Sequence, residues 1–417
     1  MADSLKVLMM GGPRSGKTSA LAGLVDTMIN GEVRKLIAVT DITQNDVIKQ
    51  KLAQKVENLK LTLITCLNKT IIVDDSKTNA YQHYTIEFAI PGTSNKLDIV
   101  FTDANGEFFE SGREHESEIS QMMKGYDVFV VAIDTPSLME AVNPDNQLMN
   151  DAVNRAVNNV NDIHNFITYL DDKDGADAKM VIFVPLKCEK WAHEGSLELV
   201  TERVLQVYDT PIRALAQMKN VEIDILPIQT VGNIVFKEHL KSYICLSESD
   251  GPIRCSILDG KTRVRFHNGF ERAIDKASDR FVLDMQAAIK EGSTILRPNS
   301  WYKVTKKDYE PHNCDQLAFY ILKFMLSKYL FIKEVERRKK EEKQKGHSWL
   351  RFIVTIAIAM VSWPMALIYF IGTKALNYLG SISYEDLRKV ISTIEDRHLI
   401  KTTGEGIRQI KKTLLTI

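Results

Sequence analysis

No charge of either sign dominates this 417-residue chain: Lys plus Arg and Asp plus Glu each total 54, so the formal net charge is zero. A chain so balanced is not steered as a whole toward nucleic acid or an acidic partner; such contacts must be local, and no nucleic-acid partner is expected. Cysteine is scarce. Cys66, Cys188, Cys245, Cys255 and Cys314 are widely spaced, odd in number and without a C-x-x-C pair. That usage fits reduced thiols in a cytosolic compartment and speaks against a structural zinc site. The start, Met1-Ala2-Asp3-Ser4, lacks a basic-then-apolar leader, which points to a cell interior. No repeat of solenoid period is visible. The length admits two or more domains, or one domain with appendages.

What is present begins at Gly11-Gly12-Pro13-Arg14-Ser15-Gly16-Lys17-Thr18, between the apolar run 5–10 and a helical stretch 19–28 that opens with Ser19. A buried strand delivers the chain to a tight turn, glycines let backbone N–H groups converge on phosphate oxygens, and the helix points its positive end at them. In the pattern G-x-x-x-x-G-K-[ST], Lys17 reaches the outer phosphates and the Thr18 hydroxyl ligates Mg²⁺. Residues 11–19 are therefore the candidate phosphate cradle.

Strand-like and helix-like segments then alternate, as expected of a mostly parallel sheet covered on both faces. Residues 36–39 read as a short strand and 44–59 as a helix; 81–90 and 97–102 read as a hairpin. The runs 128–133 and 180–185 have the continuous apolar character of strands buried on both faces. Helices are predicted over 146–170 and 196–218, with a last strand at 221–228. Short strand-like pieces broken by glycine turns fill 242–312, and helical periodicity returns at 315–331. The expected domains are residues 1–240 completed by a closing helix over 313–345, a β-rich insertion over 241–312, an apolar segment over 350–376 and a basic helical tail over 377–417.

The stretch 352–373 contains no acid or base and is long enough to cross a bilayer as a helix. Pro364 near its middle can kink or split it. Both flanks are rich in Lys and Arg, so a single span, a re-entrant hairpin bent at Pro364 and a buried helical hairpin all stay open. Membrane contact is the expectation, with the preceding domain in the cytoplasm.

Two later segments carry chemistry. Asp103-Ala104-Asn105-Gly106 closes a predicted strand, where a carboxylate can hold Mg²⁺ through water and a glycine N–H can sense a γ-phosphate. Leu186-Lys187-Cys188-Glu189 follows another strand. The Lys187 stem can lie along a purine face while Glu189 accepts from guanine N1–H and the exocyclic amine; adenine offers an acceptor at N1 and is repelled. Leu186 itself offers no polar atom with which to brace that loop. Gln229-Thr230-Val231-Gly232 follows the next strand, where a base-contacting loop, with Thr230 and Val231 in it, is expected.

In order and spacing these elements resemble the Ras-like, translation-factor-related class of P-loop GTPases. The stretches 185–191 and 313–317 are similar to signatures of bacterial double-GTPase families, in which Lys-Cys-Glu replaces the usual base-recognition motif. The resemblance covers residues 5–240 and 313–330. It implies an α/β three-layer sandwich that binds GTP or GDP with Mg²⁺. It also implies a switch paired with a protein partner or second GTPase subunit in bacterial signalling or anti-phage defence; a homodimer across nucleotide sites is one form of such pairing. Lys17 is the principal candidate catalytic residue. Glu107, where many such enzymes carry Gln, is awkward beside a γ-phosphate, so turnover is expected to be slow, and an arginine from a partner can complete the site. Thr78 is the candidate second hydroxyl ligand for the metal, with Thr70 and Thr43 as rivals. The alternatives are a nucleotide-binding sensor or scaffold without turnover, and an ATP-using enzyme.

Overall fold

In the computed structural model the described residues are 4–13, 15–72, 82–89, 96–104, 121–140, 151, 154–155, 157–170, 178–218, 220–247, 251–258, 261–265, 271–274, 294–345 and 384–397. Arg14, Thr78, Gly106, Glu107 and the apolar segment 350–376 lie outside them. Among the described residues no helix is long and apolar enough to cross a membrane.

The amino-terminal elements are β1 (Leu5–Met10), α1 (Lys17–Asn30), α2 (Glu32–Leu36), β2 (Ala38–Asp41), α3 (Asp46–Thr65), β3 (Thr70–Ile72), β4 (Gln82–Ala89) and β5 (Lys96–Asp103). There follow β6 (Val128–Asp134), α4 (Thr135–Met139), α5 (Val160–Thr168), β7 (Lys179–Leu186), α6 (Glu189–His193), α7 (Leu197–Val207), α8 (Asp209–Gln217) and β8 (Val221–Ile225). Seven strands form one sheet in the order β2-β4-β5-β1-β6-β7-β8. Four pairings, from β5 through β8, are parallel, and the β4–β5 and β2–β4 pairings are antiparallel.

Two-residue periodicity divides this sheet's side chains between two cores. From β1, Val7 and Met9 join α1 and the later helix α9 (Cys314–Lys345), whereas Leu8 and Met10 face α5, α7 and α8. β6 and β7 are buried along their whole length, so the continuous apolar runs serve both faces at once. In α9, Leu317, Ile321, Leu322 and Met325 are fully buried beneath the sheet, and α10 (Tyr384–Arg397) adds Ile391 and Ile394 to the same core.

A second sheet is built from β9 (Ile234–Ser247), β10 (Gly251–Leu258), β11 (Lys261–Arg265), β12 (Glu271–Ile274) and β13 (Thr294–Val304), with β3 on its edge. It starts at Ile234 and borrows Thr70–Ile72 from far upstream, pairing Tyr302 with Ile71. Phe236, Tyr302 and Val304 pack with Trp191, Leu59 and Leu63 in a third core. His239 fixes this joint: one ring nitrogen lies 2.9 Å from Ser300 Oγ and the other 3.2 Å from the Pro136 carbonyl.

Three local expectations change. The strand predicted over 36–39 begins at Ala38, because Glu32 at the first turn and Arg34 and Lys35 at the last favour the short helix α2 before it. The helix predicted over 146–170 is interrupted at Asn158 and Asn159, the latter left-handed at φ 48°, a conformation Asn tolerates better than most residues. The helix predicted over 196–218 is two helices meeting at Tyr208, since Pro211 has no N–H to donate to the preceding turn.

Candidate functional site

Because β1 is flanked by parallel β5 and β6, their carboxyl ends lie at one edge, with Met9 in register with Asp103. Ligands of open parallel sheets bind at such an edge. Here β1 hands over to Gly11, at φ 133°, so close to β6 that an added Cβ would sit 2.4 Å from the Ala132 carbonyl oxygen. Gly16, at φ 102°, precedes α1. No carboxylate occupies the first turn of α1, which leaves its positive end for an anion. Ser19 lies in that turn, and Pro13 is buried in the loop.

Lys17 is only 6% exposed, and its ammonium donates to the Gly11 and Gly12 carbonyls at 2.9 and 2.8 Å. The Thr18 hydroxyl donates to Asp103 Oδ2 at 2.6 Å, joining residues 85 positions apart. The other Asp103 oxygen is buried without a partner. Burial pushes the Asp103 carboxyl above its usual range, against the pull of Lys17 and the Thr18 hydroxyl. An orphaned carboxylate oxygen beside a hydroxyl is the donor set a hard divalent cation takes when phosphates and water supply the rest of its shell. Among the described residues no three His, Cys, Asp or Glu side chains cluster as a cage.

The 186–189 segment arrives at the same edge from β7. Lys187 is left-handed, at φ 60°, and its ammonium pairs with Asp134 Oδ1 at 2.8 Å. An added Cβ on Gly16 would lie 3.5 Å from both Lys187 Cε and Leu186 Cδ1, so the fully buried Leu186 sits against the phosphate loop through apolar contact. Burial works to raise the Asp134 carboxyl, but the Lys187 ammonium and the Ser137 donor outweigh it and hold it below its ordinary value. Cys188 turns inward, its thiol 3.3 Å from the Thr135 hydroxyl and pushed up by burial.

Glu189 is brought to the 229–232 loop, and the loop itself takes up its carboxylate. Oε1 accepts from the Val231 and Gly232 amides at 2.9 and 3.3 Å and from the Thr230 hydroxyl at 3.5 Å. Burial raises its pKa, opposed by those amides. Gly232, at φ 86°, lets the loop approach the Glu310 carbonyl, which a Cβ would meet at 2.0 Å.

Of the rival threonines, Thr43 accepts from the Thr85 amide at 3.1 Å, and Thr70 lies in β3 of the second sheet. Sequence reasoning missed Asp134, whose only signal is an acid closing a fully apolar strand. It also missed Asn158, whose amide group meets the Asp134 backbone at 2.6 and 3.4 Å and Asn154 Oδ1 at 2.9 Å. Nothing along the chain marks Asn158, since what gives it a role is its bonds to Asp134, which closes β6 24 positions upstream.

No protein-family model and no curated protein matches the chain. Among solved structures, it is similar at 9% identity to one from a Chaetomium thermophilum signal recognition particle receptor complex, SRb-GTP/SRX. That match has a TM-score of 0.30 and covers 56% of this chain and 94% of the other. The GTP-bound Ski7 GTPase-like domain of S. cerevisiae matches at 12% identity and TM-score 0.28, over 73% of this chain and 72% of its own. Sup35 complexed with GMPPNP matches at 8% identity and TM-score 0.22, over 73% and 64%. These scores are too low to place the chain with any of them.

Proposed function

We propose that the chain binds GTP and Mg²⁺ and hydrolyses the nucleotide slowly, as a switch. The observation that carries this reading is the 2.6 Å bond between Thr18 and Asp103, which brings the hydroxyl of the phosphate loop and a buried carboxylate to one point at the sheet edge. Thr18 and Asp103 would hold the cation, which neutralises charge on the outer phosphates. Lys17 and the backbone N–H groups of residues 11–19 other than Pro13 would bind and orient the triphosphate. The Lys187 stem lies beside Gly16, and a base bound next to it would meet Glu189 and the loop of Thr230 and Val231, whose amide donates to Glu189.

The test is a titration with fluorescent GTP, GDP and ATP analogues, with and without Mg²⁺. Equal affinity for GTP and ATP, unchanged in Glu189→Ala, would remove the guanine assignment. Phosphate release measured against Lys17→Ala separates a hydrolysing switch from a sensor without turnover. The finer reading is membrane association through residues 352–373, free of Asp, Glu, Lys and Arg, and action with a protein partner or second GTPase subunit in bacterial signalling or defence. A full-length chain that stays monodisperse without detergent overturns the membrane part.

A further inference from the structure

The turn at 157–159 presses on the phosphate loop: a Cβ on Gly12 would lie 1.9 Å from the Val157 carbonyl oxygen and 3.6 Å from Asn159 Oδ1. Its two asparagines do different things. Asn158 anchors the turn, spending its amide group on Asp134 and Asn154 while its carbonyl accepts from the Tyr208 hydroxyl at 3.1 Å. Asn159 has no such duty. Its side chain does not cap α5, although it occupies the position where Asn usually does so, and its Nδ2 is buried without a partner in a residue 4% exposed. A buried amide donor left unused is costly; the carboxamide meets the Gly12 position through Oδ1, and a phosphate oxygen bound in that loop would supply Nδ2 with its missing acceptor once the amide turns toward it. The fully buried Ser15 hydroxyl, in the same loop, is likewise without a partner.

Resting on the nucleotide reading above, we infer that Asn159 is a phosphate-contacting residue whose carboxamide donates to the terminal phosphate of a bound nucleoside triphosphate and so separates triphosphate from diphosphate. Asn158, one residue earlier, ties the same turn to Asp134 and through it to Lys187, so the turn links the phosphate end of the site to its base end.

Full-length Asn159→Gly and Asn159→Asp test this: both residues tolerate the left-handed backbone, Gly removes the whole carboxamide, and Asp keeps its shape while replacing the donor with a carboxylate oxygen. Affinities for fluorescent GTPγS and GDP are measured with Mg²⁺, beside wild type and Lys17→Ala. The expected result is about a tenfold loss for GTPγS in Asn159→Gly and a larger loss in Asn159→Asp, where a carboxylate faces the phosphate, with GDP affinity within about twofold of wild type. An unchanged ratio of GTPγS to GDP affinity in Asn159→Gly, or an equal loss for both nucleotides, overturns this inference alone. Failure of the wild-type chain to bind either nucleotide overturns it together with the functional reading.

Discussion

The proposed phosphate end and the proposed base end of the site are built to opposite rules. Around the loop at residues 11–18 polar atoms are left over: Ser15 Oγ, Asp103 Oδ1 and Asn159 Nδ2 are buried without partners. At the base end the acids are consumed internally, Asp134 by Lys187 and Ser137, Glu189 by the 230–232 loop. Leftover buried donors and acceptors are free energy withheld from the fold and returned when a ligand supplies partners. Groups already satisfied must exchange one bond for another, so they yield selectivity more than affinity. The phosphate end should therefore supply most of the binding, and the base end most of the discrimination.

The largest effect expected is at Lys17, which is already hydrogen-bonded but brings the positive charge to the phosphate end: Lys17→Ala should weaken triphosphate binding about 1,000-fold, roughly 4 kcal/mol, with little change in thermal stability. Loss of folding in place of binding would mean that its bonds to Gly11 and Gly12 serve the structure first. At the base end the order should reverse. Asp134→Ala removes the carboxylate that pairs with the largely buried Lys187 ammonium, and chemical denaturation should show about 3 kcal/mol lost, with a smaller change in nucleotide affinity.

Asp224 supplies the reference for a buried acid outside both ends. Burial lifts its pKa to about 6, opposed by the Ile225 amide. Its folded pKa exceeds its unfolded value, so the fold favours the protonated form. Its contribution is favourable at low pH and is lost as pH rises from about 4 to about 6, a change of about 2 kcal/mol. Asp224→Asn should flatten that slope in pH-dependent melting curves and raise stability at pH 7. A wild-type slope already flat over that window would contradict the assignment.

The smallest effect sharpens the comparison most. Glu189→Gln keeps an oxygen for the Val231 amide but removes the negative charge, so it should lower the preference for GTP over ATP about tenfold, roughly 1.4 kcal/mol, with the loop intact. A preference that survives Gln and disappears only in Glu189→Ala would make Glu189 a loop brace and no more.

Much of this was legible along the chain. The loop from Gly11 to Thr18, the acid at Asp103 and the Lys187–Glu189 pair each sit at the end of an apolar run, and an apolar run buried on both faces announces a parallel strand whose carboxyl end is a site. Asp134 and Asn158 were not legible, because what gives them a role is the neighbouring strand or turn. The second sheet shows the same limit: β3, three residues long, finds its partner in β13 more than 200 positions away.

By itself the sequence determined which residues can meet phosphate: glycines that admit positive φ, a lysine and a threonine opening a helix, and an acid closing a strand. Those are local demands of backbone conformation and charge, written within a few residues. Only the tertiary structure decided which polar groups would be used up and which left open. A hydrogen bond or ion pair inside a protein depends on what burial brings within about 3 Å, and strand order set that here by placing β5, β6 and β7 around one edge.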